Sequence, residues 1–587
     1  MERKKLNSNI KIIIALLLLA IFVSYPLFTD YMIWQHDLDF HLKRVENIKD
    51  GLLEGQFPVR IHPTLNNKYG YATPTMYPEL FLYIPAILRI IGLSLVSSYK
   101  ILLVLINIIA VFSMFYCVKK ISKNNVSGII AACIFAAANY RLTCLYPRGA
   151  LGESIAFSFL PLAFLGLYEV FVGNRKNWYL LVIGATGILQ SHIISTFLFA
   201  ILSIVFAIVC AKNIIKEKRF KEIIISLVAV VLLNAWFLIP FAQSYFNKDY
   251  VMNIKANNNA YVFYDHALFP AQFFNIFEKA DSYKLSIPLN EGTEDEMGFS
   301  LGILVTAGLI ISIIYCFKNR KKKDDKTRII KFATFFGLII LICSTTLFPW
   351  KPLIEGVNII AHITASIQFP WRLLGICTML ISIASSLILG EYIVMKYDSN
   401  KNFFENFKVL IIIVIVTFLV IPYYLEVFSK KPVYFTDSSI LPQTMKGNPE
   451  YFLVDTNYEK IEKSKRVCVS SSGIKVNEFY KMGSDTYVEY KSDVSDGYID
   501  VPLLYYPIYH AKDENNKEVE LTTGDNNVIR IKVNDEKTGK IVISPKDRGV
   551  VIVADIISLL SFIAFVTLIV LINKKGHITI KPQKSDQ

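Results

Sequence analysis

Ile10-Lys11-Ile12-Ile13-Ile14-Ala15-Leu16-Leu17-Leu18-Leu19-Ala20-Ile21-Phe22-Val23 begins an apolar run that reaches Phe28. Shortly after it comes Trp34-Gln35-His36-Asp37-Leu38-Asp39-Phe40-His41-Leu42-Lys43-Arg44-Val45-Glu46. A bilayer core of roughly 30 Å takes about 20 apolar residues in helical form, and the run has that length. It is longer than the apolar core of a secretory signal, and no small-x-small cleavage site follows it. We therefore read an uncleaved first span behind the basic start Arg3-Lys4-Lys5. The acidic, histidine-bearing segment stands at its far end.

The rest of the chain repeats the first half of that pattern. Of 587 residues, 53% are hydrophobic and 19% charged, with mean hydropathy +0.43. This is shifted from soluble composition towards a membrane protein. Further apolar runs fall at 99–118, 126–143, 152–172, 222–243, 299–318, 329–348, 371–395, 408–427 and 549–573. Residues 78–93 are short and interrupted by Pro85 and Arg89, which suits a surface or re-entrant segment. Residues 177–211 are long enough to cross twice, with a break near Gln190-Ser191-His192. With those readings Lys119-Lys120, Arg175-Lys176, Lys212 to Lys221, Lys318 to Lys331, Lys396 to Lys408 and Lys574-Lys575 all fall on one side, as cytoplasmic loops require. The net charge of +14 is accounted for by these loops, so no nucleic-acid partner is expected.

The expected fold is an all-α polytopic membrane domain of about twelve spans, with a small extracytoplasmic β domain before the last helix. Its parts are a cytoplasmic tail 1–9, a membrane domain 10–427 with outer loops 30–76 and 244–298, a β-rich domain 428–548, a final helix 549–573 and a cytoplasmic tail 574–587. The β domain is read from alternating runs such as Thr486-Tyr487-Val488-Glu489-Tyr490 and Val528-Ile529-Arg530-Ile531-Lys532-Val533, with turn signals between them. The eight cysteines form no CxxC and no even-spaced framework, which indicates neither a zinc site nor a disulfide scaffold.

Four places on the outer side carry candidate chemistry. If a helix begins near Asp37, then Asp37, His41 and Arg44 share one face and Asp39 lies on another. With His36 they form a set suited to deprotonating a hydroxyl, holding a divalent metal such as Mg or Mn at Asp37, or both. The plain alternative is a helix start capped by Asp37 or Asp39. Arg148 and Glu153, in Arg148-Gly149-Ala150-Leu151-Gly152-Glu153, either pair with each other or offer a guanidinium to a lipid phosphate; a snorkelling Arg is the plain alternative. His192 sits at a turn, as a ligand or a satisfied structural histidine. Arg372, in Phe369-Pro370-Trp371-Arg372, is a second phosphate ligand or part of an aromatic belt. The topology puts Asp37, Arg148, His192 and Arg372 on the same membrane face. There is no GxxxxGK[ST], GxGxxG, HExxH or GxSxG motif, so an enzyme here would take its activated substrate from the bilayer.

The order of these motifs resembles the GT-C superfamily of integral membrane glycosyltransferases. The closer resemblance is to the bacterial 6-pyruvoyl-tetrahydropterin-synthase-related membrane proteins, which are similar to YfhO-like proteins. It is carried by His36-Asp37-Leu38 with Phe40-His41, Lys68-Tyr69-Gly70, Tyr77-Pro78, Arg148-Gly149-Ala150 with Glu153, Ser191-His192, Phe369-Pro370-Trp371-Arg372 and Val501-Pro502-Leu503-Leu504-Tyr505-Tyr506-Pro507. Departures are Gln35, where glycine is usual, and Ile508-Tyr509, where Gly-Trp often follows the proline. The resemblance implies transfer from a polyprenyl-phosphate sugar donor to a polysaccharide or lipid acceptor of the envelope, outside the bacterial plasma membrane. Asp37 would be base or metal ligand, and Arg148 or Arg372 would hold the lipid phosphate. His36, Arg44, Glu153 and His192 join them as substrate-binding candidates, with His41 and Asp39 beside Asp37 as catalytic ones. A lipid or glycan transporter and a non-catalytic envelope-assembly protein are the alternatives.

Overall fold

The computed structural model describes residues 2–246, 249–255, 259–274, 298–399, 411–422, 434–435, 449–534 and 538–578. Residues 275–297 of the expected outer loop, both ends of the expected span 408–427, most of 428–448, the basic stretch 400–408 and the tail after 578 lie outside them.

Five described helices are long and apolar enough to cross a membrane: Leu95–Ser122, Leu151–Phe171, Ile193–Lys216, Pro370–Met395 and Val550–Ile572. Two bent pairs bring the number to seven if each is one span: Asn125–Ala136 with Asn139–Leu145, bent by 55°, and Phe220–Leu233 with Ala235–Tyr245, bent by 76°. The chain is a multi-pass membrane protein, but twelve spans are not established. The expected spans 10–29 and 299–318 enter as the shorter apolar helices Asn9–Val23 and Ile303–Lys318. The expected span 329–348 is the helix Asp325–Cys343, whose first turns carry Lys326, Arg328 and Lys331.

Residues 177–211 do divide. The helix Tyr179–Leu189 ends at Gln190, and Ile193–Lys216 starts after His192. Close packing holds the first piece against Leu151–Phe171. A Cβ on Gly184 would lie 2.4 Å from the Ala163 nitrogen, and one on Gly166 would lie 2.2 Å from the Leu181 nitrogen. Only glycine lets two backbones approach this closely inside a bilayer, where dispersion replaces the hydrophobic effect as the force between helices. The segment 78–93 forms a short helix, Tyr83–Ile90. Its Arg89 Nε donates to Glu46 at 2.5 Å, tying it to the first-loop helix Leu38–Leu53.

The β domain is two antiparallel sheets. One has four strands in the order Val469–Ser470, Gly497–Leu504, Val528–Val533, Leu521–Thr523. The other has five: Ile474–Met482, Asp485–Ser492, Thr538–Ser544, His510–Asp513, Glu518–Val519. Both strands named from the sequence are present. Their buried side chains, among them Val488, Tyr490, Ile529, Ile531 and Val533, share one core with Ile61, Leu65, Tyr69, Tyr71 and Met76 of the first loop. The first loop is thus the floor of the β domain as well as an extension of the first helix. Arg60, 1% exposed, fastens the junction: it donates to Asp547 at 2.9 Å, to Asp555 of the last helix at 2.8 Å and to the Trp236 carbonyl at 2.9 Å.

Candidate functional site

The first-loop helix Leu38–Leu53 has Asp37 at its N-cap, yet the Asp37 side chain makes no capping hydrogen bond. Capping is the usual use of an aspartate there, because the first N–H groups of a helix lack partners. Here the carboxylate is left free of that role. The backbone instead joins the turn after Leu145: His36 N donates to the Pro147 carbonyl at 3.4 Å and Asp37 N to the Arg148 carbonyl at 3.0 Å. Gly149 makes this crossing possible. Its φ is +61°, and a Cβ there would stand 2.7 Å from Gln35 Oε1 and 2.8 Å from Gln35 Cβ.

That crossing sets Asp37 in the field of two arginines. Its side chain keeps solvent access, but the protein crowded around it desolvates the carboxyl and raises its pKa, with Arg148 and then Arg372 pulling the other way. Arg148 and Glu153 do pair. Arg148 Nη1 lies 3.0 Å from Glu153 Oε2, both side chains nearly fully buried. Tyr140 Oη donates to the other oxygen of Glu153 at 2.5 Å, and Cys144 Sγ lies 3.6 Å from it. The snorkelling reading of Arg148 is excluded by this burial.

Arg372 is the less committed cation. It sits 4.0 Å from Glu153 Oε2, and Nη1 donates to the Ile367 carbonyl at 3.1 Å. Its Nε is buried and has no hydrogen-bond partner among the described residues. Trp371 beside it is 7% exposed and stacks on Phe369 at 4.3 Å and Phe299 at 4.9 Å. This motif is therefore packed inside the protein and is not an interfacial belt. A small crevice of about 10 Å³ opens between Glu153, Ser195 and Arg372.

Two of the buried histidines, His192 and His41, are settled by their partners. His192 caps Ile193–Lys216: its Nδ1 accepts from Ser195 N at 3.3 Å and from Ser195 Oγ at 2.8 Å. Burial, with Arg372 next, pushes its pKa down to about 3. His41 Nδ1 stands 3.2 Å from Arg44 Nη1. An arginine only donates, so this nitrogen accepts and the proton sits on Nε2. Burial, then Arg44 and His192, hold its pKa well below the usual histidine range. Both rings are neutral at pH 7 with Nδ1 occupied, so each can offer an Nε2 donor and neither is placed as a general base.

Three expectations need correction. Asp39 is half exposed and paired with Lys43 at 2.5 Å, on the outward face of the helix and outside the cluster. Arg44 is fully engaged: Nε donates to Glu79 at 2.7 Å and Nη2 to the Pro78 carbonyl at 2.8 Å, and its guanidinium lies over the Tyr77 ring at 4.4 Å. It is a structural cation rather than a ligand. A divalent metal at Asp37 does not fit: among the described residues no three His, Cys, Asp or Glu side chains group together, and of the charges acting on Asp37 two are guanidinium groups that repel a dication, against the single carboxylate of Glu153. His36 is exposed, with its ring 4.7 Å from that of Trp34.

Sequence reasoning missed Glu79 and Tyr140, and took Tyr77 only as part of the Tyr77-Pro78 resemblance. Glu79 joins Arg44 to His62, whose Nε2 lies 3.0 Å away. The available signal was an acid standing alone between Pro78 and an apolar helix. Tyr140 lay within an apolar run and gave none.

Residues 7–357 match the model of a family described as a family of unknown function, DUF6541. The chain belongs to that family. The DUF6541 match takes in Asp37, Arg148, Glu153 and His192 and ends before Arg372 and the β domain. It does not carry the narrower naming suggested by motif order. An uncharacterized protein from Lactococcus lactis subsp. cremoris (strain MG1363) is 22% identical over 360 residues, 59% of this chain and 55% of that protein. The chain thus spans about half the length of this curated relative. Among solved structures, the cryo-electron-microscopy structure of the arabinofuranosyltransferase AftD from Mycobacteria is similar with a TM-score of 0.38 and 12% identity, covering 72% of this chain and 27% of that one. A likeness at that level carries no argument about this chain's activity.

Proposed function

We propose that this protein is an integral membrane glycosyltransferase of GT-C type that moves a sugar from a polyprenyl-phosphate donor to an envelope acceptor on the outer face of a bacterial plasma membrane, with both termini inside. The observation that carries this reading is a carboxylate at a helix N-cap that caps nothing and lies in the field of two arginines, Arg148 buried and Arg372 largely so. The same arrangement answers both needs of the reaction. The acceptor oxygen bonds to the anomeric carbon as the bond from that carbon to the phosphate oxygen breaks. The acceptor proton passes to Asp37. The electron pair leaves with the polyprenyl phosphate, whose charge is met by Arg372, whose Nε makes no hydrogen bond among the described residues and stands 4.0 Å from Glu153, while Arg148, held by Glu153, supplies the second positive charge. Motif order, in the resemblance to YfhO-like and 6-pyruvoyl-tetrahydropterin-synthase-related proteins, supports the same class.

Deleting the gene tests it. A transferase of this kind leaves its donor unconsumed, so mass spectrometry of extracted lipids shows one polyprenyl-phosphate sugar accumulating. An unchanged lipid-linked sugar pool contradicts the donor class.

A further inference from the structure

On the side of the molecule away from Asp37, a cavity of about 550 Å³ opens between two helices. Its rim carries Lys322, Lys323, Arg328 and Lys331, and no acidic residue lines it. Its walls are apolar: Val205 and Val209 from Ile193–Lys216, and Phe332, Phe335 and Ile339 from Asp325–Cys343.

The helices fix where it lies. His192 and Arg372 stand at the starts of Ile193–Lys216 and Pro370–Met395. At 1.5 Å per residue, Val205 is about 20 Å along the first of these. Lys326, beside the cavity, pairs with Glu391 at 2.8 Å, and Glu391 lies about 28 Å along the second from Arg372. The cavity is therefore at the opposite membrane boundary, independent of the proposed transfer site.

The local charges are arranged to stay available. Asp324 is used as a helix cap, accepting from Thr327 N at 3.0 Å and Thr327 Oγ1 at 2.7 Å, and it meets Lys322 only at 3.7 Å in an exposed pair, which holds that lysine weakly. Asp325 meets Arg328 only in an exposed pair, which screens little. Lys331 Nζ donates to the carbonyls of Arg320 and Lys322, each at 2.9 Å, and so folds the loop that presents Lys322 and Lys323. A cationic rim above an apolar trough at a bilayer boundary matches one ligand chemistry, a phosphate headgroup with acyl chains. We propose that this cavity binds an anionic phospholipid, with the headgroup on Lys322, Lys323 and Arg328 and an acyl chain along Phe332 and Phe335. Lys331 is a positioning residue for the rim.

The test is equilibrium binding of fluorescent phosphatidylglycerol to the purified full chain in neutral detergent. The variant K322Q/K323Q/R328Q is compared with K119Q/K120Q/K123Q, which removes the same charge from another loop. The first variant binds at least tenfold more weakly than the natural chain, since each basic residue near an anionic surface contributes about fivefold; the second binds normally. Equal weakening in both variants overturns the site, because the attraction is then a diffuse effect of loop charge. Phosphatidylcholine binding as tightly as phosphatidylglycerol, or millimolar inorganic phosphate displacing the lipid, also overturns it.

Discussion

The backbone N–H of Asp37 donates to the carbonyl of Arg148 at 3.0 Å, and this bond brings two loops far apart in the chain into one site. It exists because Gly149 adopts φ +61° against Gln35. In G149A, a Cβ would strike Gln35 and strain the backbone. We expect at least a tenfold loss of activity in that variant. Adding Q35G relieves the clash but not the strain, so the double variant recovers part of the loss. No recovery would mean that the contact with Gln35 is immaterial.

Burial separates the two acid–base pairs near the first span. Glu153 holds Arg148 with both side chains nearly sealed from solvent, and removing it leaves an unpaired buried cation. E153A should destabilise the chain by about 3–5 kcal/mol. The Asp39–Lys43 pair is half exposed, and D39A should change stability by less than about 1 kcal/mol. Thermal unfolding in detergent distinguishes them, and equal effects would contradict the placement of Glu153.

His41 and His192 are buried and gain charge only well below the usual histidine range. The folded pKa of His192 is depressed from 6.5 to about 3. Its contribution to stability is therefore complete above pH 6.5 and is lost progressively down to about pH 3. H192N keeps a capping side chain and removes the titration. Its melting temperature should fall less steeply over that window than that of the natural chain; parallel curves would show that His192 is accessible and ordinary. Asp37 has the opposite sign. Its folded pKa is raised, so ionised Asp37 opposes folding once pH rises through that value. D37N should melt at or above the natural temperature at pH 7, with the difference vanishing in acid.

Arg60 joins the first loop to the last helix through Asp547 and Asp555. R60M strands two carboxylates and should cost about 3–5 kcal/mol. It should also make the β domain more open to limited proteolysis, because the floor of that domain is the first loop. Unchanged proteolysis would show that the shared core alone holds the junction.

Much of this arrangement was legible in the sequence. Apolar length located the membrane helices but not their number, period-two alternation gave the strands, and the break at Gln190-Ser191-His192 divided the long run. Charge asymmetry placed Asp37, Arg148, His192 and Arg372 on one face, and the structure brings the four together. What did not show was which neighbours saturate each group. Arg44 looked as available as Arg372, because Glu79 is distant in sequence from its partner. His41 looked like a base until Arg44 was found on its Nδ1. Trp371 looked interfacial because a Phe-Pro-Trp string reads alike at a membrane surface and inside a bundle. Pairing is a property of packing, and periodicity does not record it.

The most direct test of the central assignment compares D37N with D39N in a strain lacking the natural gene, at matched protein levels. The readout is envelope glycan composition. D37N should reproduce the glycan of the deletion strain, while D39N restores the natural one. A natural glycan in the D37N strain, against a clear defect in the deletion strain, would contradict the role of Asp37 as base.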